Sequence, residues 1–152
     1  MWDILLNGVG GTWLAGTAMR IALGSFFVFS GAHKLLRKER HETFVATLKS
    51  LGIPCLRLLQ WFVPGVEFFG GLGVTVGCLT PLAALGLLVI CLVALLTSSP
   101  KIVASYKPTD FADRADDWLY QPEMMYAMML IYFIAAGGGP ISIDRLVNRW
   151  IG

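Results

Sequence analysis

Four stretches of the chain are almost unbrokenly apolar, at about residues 13–33, 57–79, 81–98 and 118–136. Each approaches the ~20 residues that a helix needs to cross ~30 Å of hydrocarbon. Thr80 followed by Pro81 reads as an N-cap and a first-turn proline, so the second and third runs are expected to form a tight hairpin. Gly137, Gly138, Gly139 and Pro140 stop the fourth. Between the first two runs the pattern becomes amphipathic. Phe44, Val45, Leu48 and Leu51 recur at helical spacing, Lys38, Glu39, Glu42 and Lys49 take the other side, and Gly52 with Pro54 ends the segment. Near the end of the chain Ser142 is placed to cap a short helix in which Ile143, Leu146, Val147, Trp150 and Ile151 share one face, with Arg145 and Arg149 on the other. Both amphipathic helices are expected to lie in the membrane interface. The pattern as a whole predicts an all-α fold: an integral membrane four-helix bundle with two interfacial amphipathic helices, one domain covering residues 1–152.

Composition agrees with a lipid solvent. A chain of 152 residues that is 56% hydrophobic and 14% charged, with mean hydropathy +0.67, has more apolar surface than one small soluble core can bury. The net charge of +2 is small and dispersed, which sets nucleic acid aside as a partner. Lys34, Arg37, Lys38, Arg40, Lys49 and Arg57 in the first loop, with Lys101, Lys107 and Arg114 in the third, outnumber Arg145 and Arg149 on the other side. The positive-inside rule then places both long loops in the cytoplasm and both termini outside, with Trp118 and Tyr120 in the cytoplasmic aromatic belt. The first run is not read as a cleaved leader, since no Lys or Arg precedes it, Arg20 lies inside it and basic residues follow it. Cys55, Cys78 and Cys91 form no C-x-x-C and are read as inert thiols.

Candidate chemistry lies where polar groups interrupt the apolar runs. Arg20 and Glu67 each place an ionisable group inside a span, at a cost of ~3 kcal/mol on insertion scales, and such groups persist mainly where they have partners. Counted at ~1.5 Å per residue from the outer helix ends, the two depths are near enough for a long arginine to meet the glutamate. The pair either fastens two helices or lines a proton-linked or ligand-binding pocket. Pro64 removes a backbone donor, and Gly70 and Gly71 fall on the face of Glu67, opening space around the carboxylate; the alternative for these glycines, and for the Gly73-x-x-x-Gly77 pattern, is close helix contact. Ser30, Gly31, His33 and Lys34 make a polar strip at the end of the first run, where His33 is a titratable group and Lys34 either holds an anion or a quinone carbonyl or snorkels to lipid phosphate. Asp110, Asp113, Asp116 and Asp117 lack EF-hand spacing, and Met124, Met125, Met128 and Met129 suit packing better than copper ligation, so no metal site is expected. No Walker loop, G-x-S-x-G, H-E-x-x-H or C-x-x-C-H is present, and no catalytic residue is assigned.

The order of these pieces is similar to a known group. Arg20-Ile21-Ala22-Leu23-Gly24, Ser30-Gly31-x-His33-Lys34-Leu35, Leu51-Gly52-Ile53-Pro54, Val66-Glu67-x-x-Gly70-Gly71, Gly77-x-Leu79-Thr80 and Ser142-x-Asp144-Arg145-Leu146 together resemble the DoxX family of small bacterial membrane proteins. The resemblance implies a four-helix domain in the bacterial cytoplasmic (inner) membrane. It also implies a link with membrane redox systems such as thiosulfate:quinone oxidoreductase, in which a DoxD-type subunit is membrane-bound. On that basis the expected role is a subunit without catalysis of its own and without a cofactor, which anchors or stabilises a larger, redox-related complex in the lipid bilayer beside other membrane or membrane-associated subunits. The alternative is a quinone-linked oxidoreductase subunit. Arg20, Lys34, Glu67, Gly70 and Gly71 fall at the family-like polar and glycine positions. Residues 1–11 and 100–118 lie outside the family pattern and are expected to contact partners.

Overall fold

Gly24, Gly31 and Gly71 decide how the two longest helices meet. In a computed structural model of the chain, which describes residues 11–151, the first apolar run forms α1 (Thr12–Leu36) and the second forms α3 (Leu56–Val76), with α2 (Lys38–Ser50) between them. A Cβ on Gly31 would stand 2.6 Å from the Phe68 nitrogen and 2.7 Å from the Pro64 oxygen, and one on Gly71 would stand 2.7 Å from the Val28 nitrogen. Only glycine admits backbones this close, and the contact fixes α1 antiparallel to α3 over two turns. α3 packs on α4 (Thr80–Thr97), α4 on α7 (Pro122–Ala136), and α7 returns to α1. α5 (Ser99–Tyr106), α6 (Phe111–Leu119) and α8 (Ile143–Ile151) complete eight helices among the described residues, which contain no strand.

The core is a thin seam. On α4 it takes Ala84, Leu87, Leu88, Cys91 and Leu95, and on α7 Ala127, Leu130 and Phe133, the spacing of a single helix face. The opposite face of α4 is just as apolar, with Leu82, Leu85, Val89, Leu92, Val93 and Leu96 turned outward, Leu96 to 77% exposure. Helices apolar on every side belong in lipid. By length and composition, α1 and α4 suffice to cross a membrane.

Two expected boundaries move. The run expected from residue 118 divides, because Pro122 cannot continue a helix begun upstream; α6 ends at Leu119, and α7 restarts after Gln121. Residues 100–118, expected to be a loop, instead hold most of α5 and α6. The acidic run there serves as a cap: Asp110 Oδ1 accepts from the Asp113 N–H at 2.8 Å, and Asp113 Oδ2 accepts from the Thr109 hydroxyl and N–H. The hydroxyl bond first, and then the amide, holds the Asp113 carboxyl below its ordinary range. α2 follows the expected amphipathic pattern, but its apolar face is covered by the chain itself, with Leu48 buried and His41 stacked on Trp61 at 4.4 Å between ring centres. Ser142 caps α8 as expected, accepting from the Arg145 N–H at 3.2 Å, and Ile143, Leu146, Val147 and Trp150 face outward. The side chain of Ile151 and residues 1–10 lie outside the described residues.

Candidate functional site

The register of α1 on α3 determines which charges meet. Since Gly31 lies against Pro64 and Phe68, the residues at its level, Ser30 and then Lys34 one turn on, face Glu67. Lys34 Nζ donates to both carboxylate oxygens of Glu67 at 2.7 Å, and the Ser30 hydroxyl donates to Oε2 at 3.3 Å. The Glu67 side chain is 7% exposed and that of Lys34 25%. The ammonium also stands 5.1 Å from the centre of the Phe44 ring on α2.

This pair is set into the wall of a cavity of about 410 Å³ enclosed by α1, α2, α3, α4 and α7. The lining is mainly apolar and strongly aromatic, with Phe26, Phe27, Phe44, Phe62 and Tyr126. Tyr126 closes one side against Phe26 and Phe27, at ring separations of 4.6 and 5.7 Å. Phe62, Val89 and Val93 line the cavity and are also exposed on the outer surface, so the cavity is continuous with the apolar exterior. A site with this volume, an apolar body and few polar groups is the usual form of a small-molecule pocket. Lys34 has three N–H donors; two are spent on Glu67, leaving one for a ligand acceptor.

Arg20 does not meet Glu67. Its guanidinium turns the other way, donating to the carbonyls of Val74 and Thr75, both at 2.7 Å, and of Ile141 at 2.6 Å. The expected pairing took the helix ends to be level. Instead the register puts Glu67 opposite Ser30, ten positions from Arg20, or ~15 Å along the axis. Arg20 closes the C-terminal end of α3, where a Schellman turn runs through Gly77 (φ +73°) with Cys78 N–H donating to Gly73 oxygen at 2.9 Å. Asp144, the first-turn acid of α8, closes the start of α4 across the same turn. Its carboxylate accepts from the N–H groups of Leu79 (2.6 Å) and Thr80 (2.9 Å) and from the Thr80 hydroxyl (2.7 Å). Burial alone would raise the Asp144 carboxyl; the three donors and the Arg20 charge outweigh it and hold the group below its ordinary value.

The remaining expected positions lie apart from the cavity. His33 is exposed, and its carbonyl accepts from the Arg37 N–H at the end of α1. Gly71 is the contact with α1, and Gly70 faces Leu87 of α4 at 3.1 Å from a built Cβ. Two polar cavity residues escaped sequence reasoning. Glu123 and Tyr126 sit three apart in α7, an acid and a hydroxyl at the start of an apolar helix, which is the same signal that singled out Glu67. Cys91, read from the sequence as an inert thiol, also lines the cavity. No cluster of three or more His, Cys, Asp or Glu able to hold a metal ion occurs among the described residues.

Among known proteins, the family model that matches is DoxX, over residues 15–100, more than half of the chain and inclusive of Lys34, Glu67 and Cys91. No curated protein and no solved structure matches.

Proposed function

The chain belongs to the DoxX family, a membrane-associated family often linked to quinone-dependent redox enzymes, and on that premise we propose that it is a multi-pass subunit of a bacterial inner-membrane redox assembly whose own contribution is to hold a quinone. The observation that carries this reading is the Lys34–Glu67 pair in the wall of the 410 Å³ aromatic cavity. A pair that served only to fasten α1 to α3 would need no cavity beside it, and the glycine contacts already fasten them. A quinone has an apolar tail, a flat ring and carbonyl acceptors. The spare N–H of Lys34 suits a carbonyl, the aromatic lining suits the ring, and the apolar opening at Phe62, Val89 and Val93 suits a tail lying in lipid.

The outward apolar faces of α1, α3, α4 and α7 support four spans. The basic first loop favours placing the Lys34 end on the cytoplasmic side, with α8 in the outer interface. Purification from native membranes in mild detergent, with mass spectrometry of co-purifying chains and extracted lipids, tests the reading. Near-stoichiometric quinone with the wild-type chain, lost in Lys34→Met, is the expected result. Recovery with a stoichiometric redox partner but without quinone would refute ligand binding and leave the anchoring role that the sequence suggests.

A further inference from the structure

Glu123 lines the same cavity from α7, as Lys34 and Glu67 line it from α1 and α3. The α7 backbone brings it there: Gln121 is the N-cap, Pro122 begins the first turn, and Glu123 and Tyr126, three apart, project from one face. Glu123 Oε2 is buried, and among the described residues no protein donor reaches it. A buried acceptor of this kind is costly unless something in the cavity donates to it. The cavity therefore carries two polar vacancies of opposite kind, a spare donor on Lys34 and a spare acceptor on Glu123.

We propose that Glu123 is the specificity-determining residue of the cavity and selects a ring that carries a hydroxyl donor, the quinol, over the oxidised quinone. This rests on the quinone reading above and goes beyond it by naming the form that is held. A quinone offers acceptors only: one carbonyl satisfies Lys34, and any other faces the Glu123 carboxylate as acceptor against acceptor. A quinol resolves both, since one hydroxyl oxygen accepts from Lys34 while the second hydroxyl donates to Glu123 Oε2. Sites built to engage a hydroxyl discriminate strongly against analogues that lack it, because the site's own group is then left unpaired. Rejection of the donor-free ring is expected at about ten- to a hundredfold in Kd.

The test uses the full chain in detergent under anaerobic conditions, with equilibrium dialysis against three probes: a decyl-substituted benzoquinol, its 1,4-dimethyl ether and the corresponding benzoquinone. The wild-type chain is expected to bind the quinol at least about tenfold more tightly than either other probe. Glu123→Gln keeps the shape but adds an amide donor, so the preference for quinol over quinone should fall to within about threefold, mainly through tighter quinone binding. The comparison among probes on the wild-type chain needs no variant, so a folding defect cannot mask the answer. Binding of all three probes with equal affinity, or an undiminished quinol preference in Glu123→Gln, would overturn the role of Glu123 while leaving the quinone site standing. Binding of none of them would overturn the quinone site and this inference with it. Decylammonium, dialysed as a fourth probe and held as tightly as the quinol, would overturn the phenolic class in favour of an amphipathic cation.

Discussion

Replacing Lys34 by Met would remove both 2.7 Å contacts to Glu67 and leave a carboxylate that is 7% exposed with the Ser30 hydroxyl, at 3.3 Å, as its remaining polar partner. Breaking a buried pair by deleting one partner typically costs 3–5 kcal/mol, mostly from the stranded charge. Because the Lys34 side chain is 25% exposed, part of that cost is relieved by solvent or lipid headgroups, and about 3 kcal/mol is expected. The double variant Lys34→Met, Glu67→Met removes the stranded charge together with its partner. Its methionines can fill the space against Phe44 and Val63, so it should return to within about 1 kcal/mol of the wild type. Unfolding in mixed micelles with increasing SDS, read by circular dichroism, measures all four corners of the cycle: the wild type, Lys34→Met, Glu67→Met and the double variant. The expected coupling between the two sites is at least about 2 kcal/mol. A coupling below about 0.5 kcal/mol would refute a direct ion pair and with it the polar wall of the cavity. The double variant should also be the informative one for function, being stable yet unable to retain quinone.

Glycine contacts give a paired prediction: Gly71→Ala meets rigid backbone at 2.7 and 2.8 Å and should destabilise by about 2 kcal/mol or more, whereas Gly65→Ala meets nothing within 4 Å and should stabilise α3 by up to about 1 kcal/mol in the same micelle titration. Orientation is checked by a membrane-impermeant maleimide on intact cells, which should label Cys78 at the α3–α4 turn from outside and reach the exposed Cys55 only after lysis; the reverse order would invert the topology. The Asp144 carboxyl is depressed in the folded state, so the stability it confers is complete above the ordinary carboxylate range and is lost as pH falls through its lowered value. Protection of the Thr80 amide, measured as exchange relative to the intrinsic rate at each pH, should therefore fall on acidification below the ordinary carboxylate range, and Asp144→Asn should abolish that fall.

Much of the fold was legible because apolar runs and helix punctuation are local properties. The runs from 13 and 57, the first-turn Pro81 of α4 and the Ser142 cap of α8 all follow from a few neighbouring residues, whereas the expected N-cap moves from Thr80 to Leu79, because the Thr80 N–H and hydroxyl both donate to Asp144 from a distant part of the chain. What was not legible depends on register between distant helices. Arg20 and Glu67 were rightly singled out as charges in need of partners, yet their partners are set by where Gly24 and Gly31 fall against α3, which no single-helix count reveals. Gly70 and Gly71 allowed two readings, space around a carboxylate or close helix contact, and they make contact with two different neighbouring helices. The run from 118 misled because Trp118, Leu119 and Tyr120 are apolar enough to extend a span that Pro122 breaks. Glu123 lies inside the expected fourth run and was not singled out there; the fold places it in the cavity lining.

The turn between α3 and α4 is gripped from one side by Arg20 and from the other by residues 141–144. Synthesis delivers these two grips at opposite times. When α3 and α4 leave the ribosome, Arg20 has already been made and its guanidinium is available to the carbonyls of Val74 and Thr75, but the first amides of α4 wait without their carboxylate until the segment after α7 emerges. The helical hairpin thus stays provisional until a segment 64 residues further along the chain latches it, so a chain that stalls before residue 141 would display an uncapped turn.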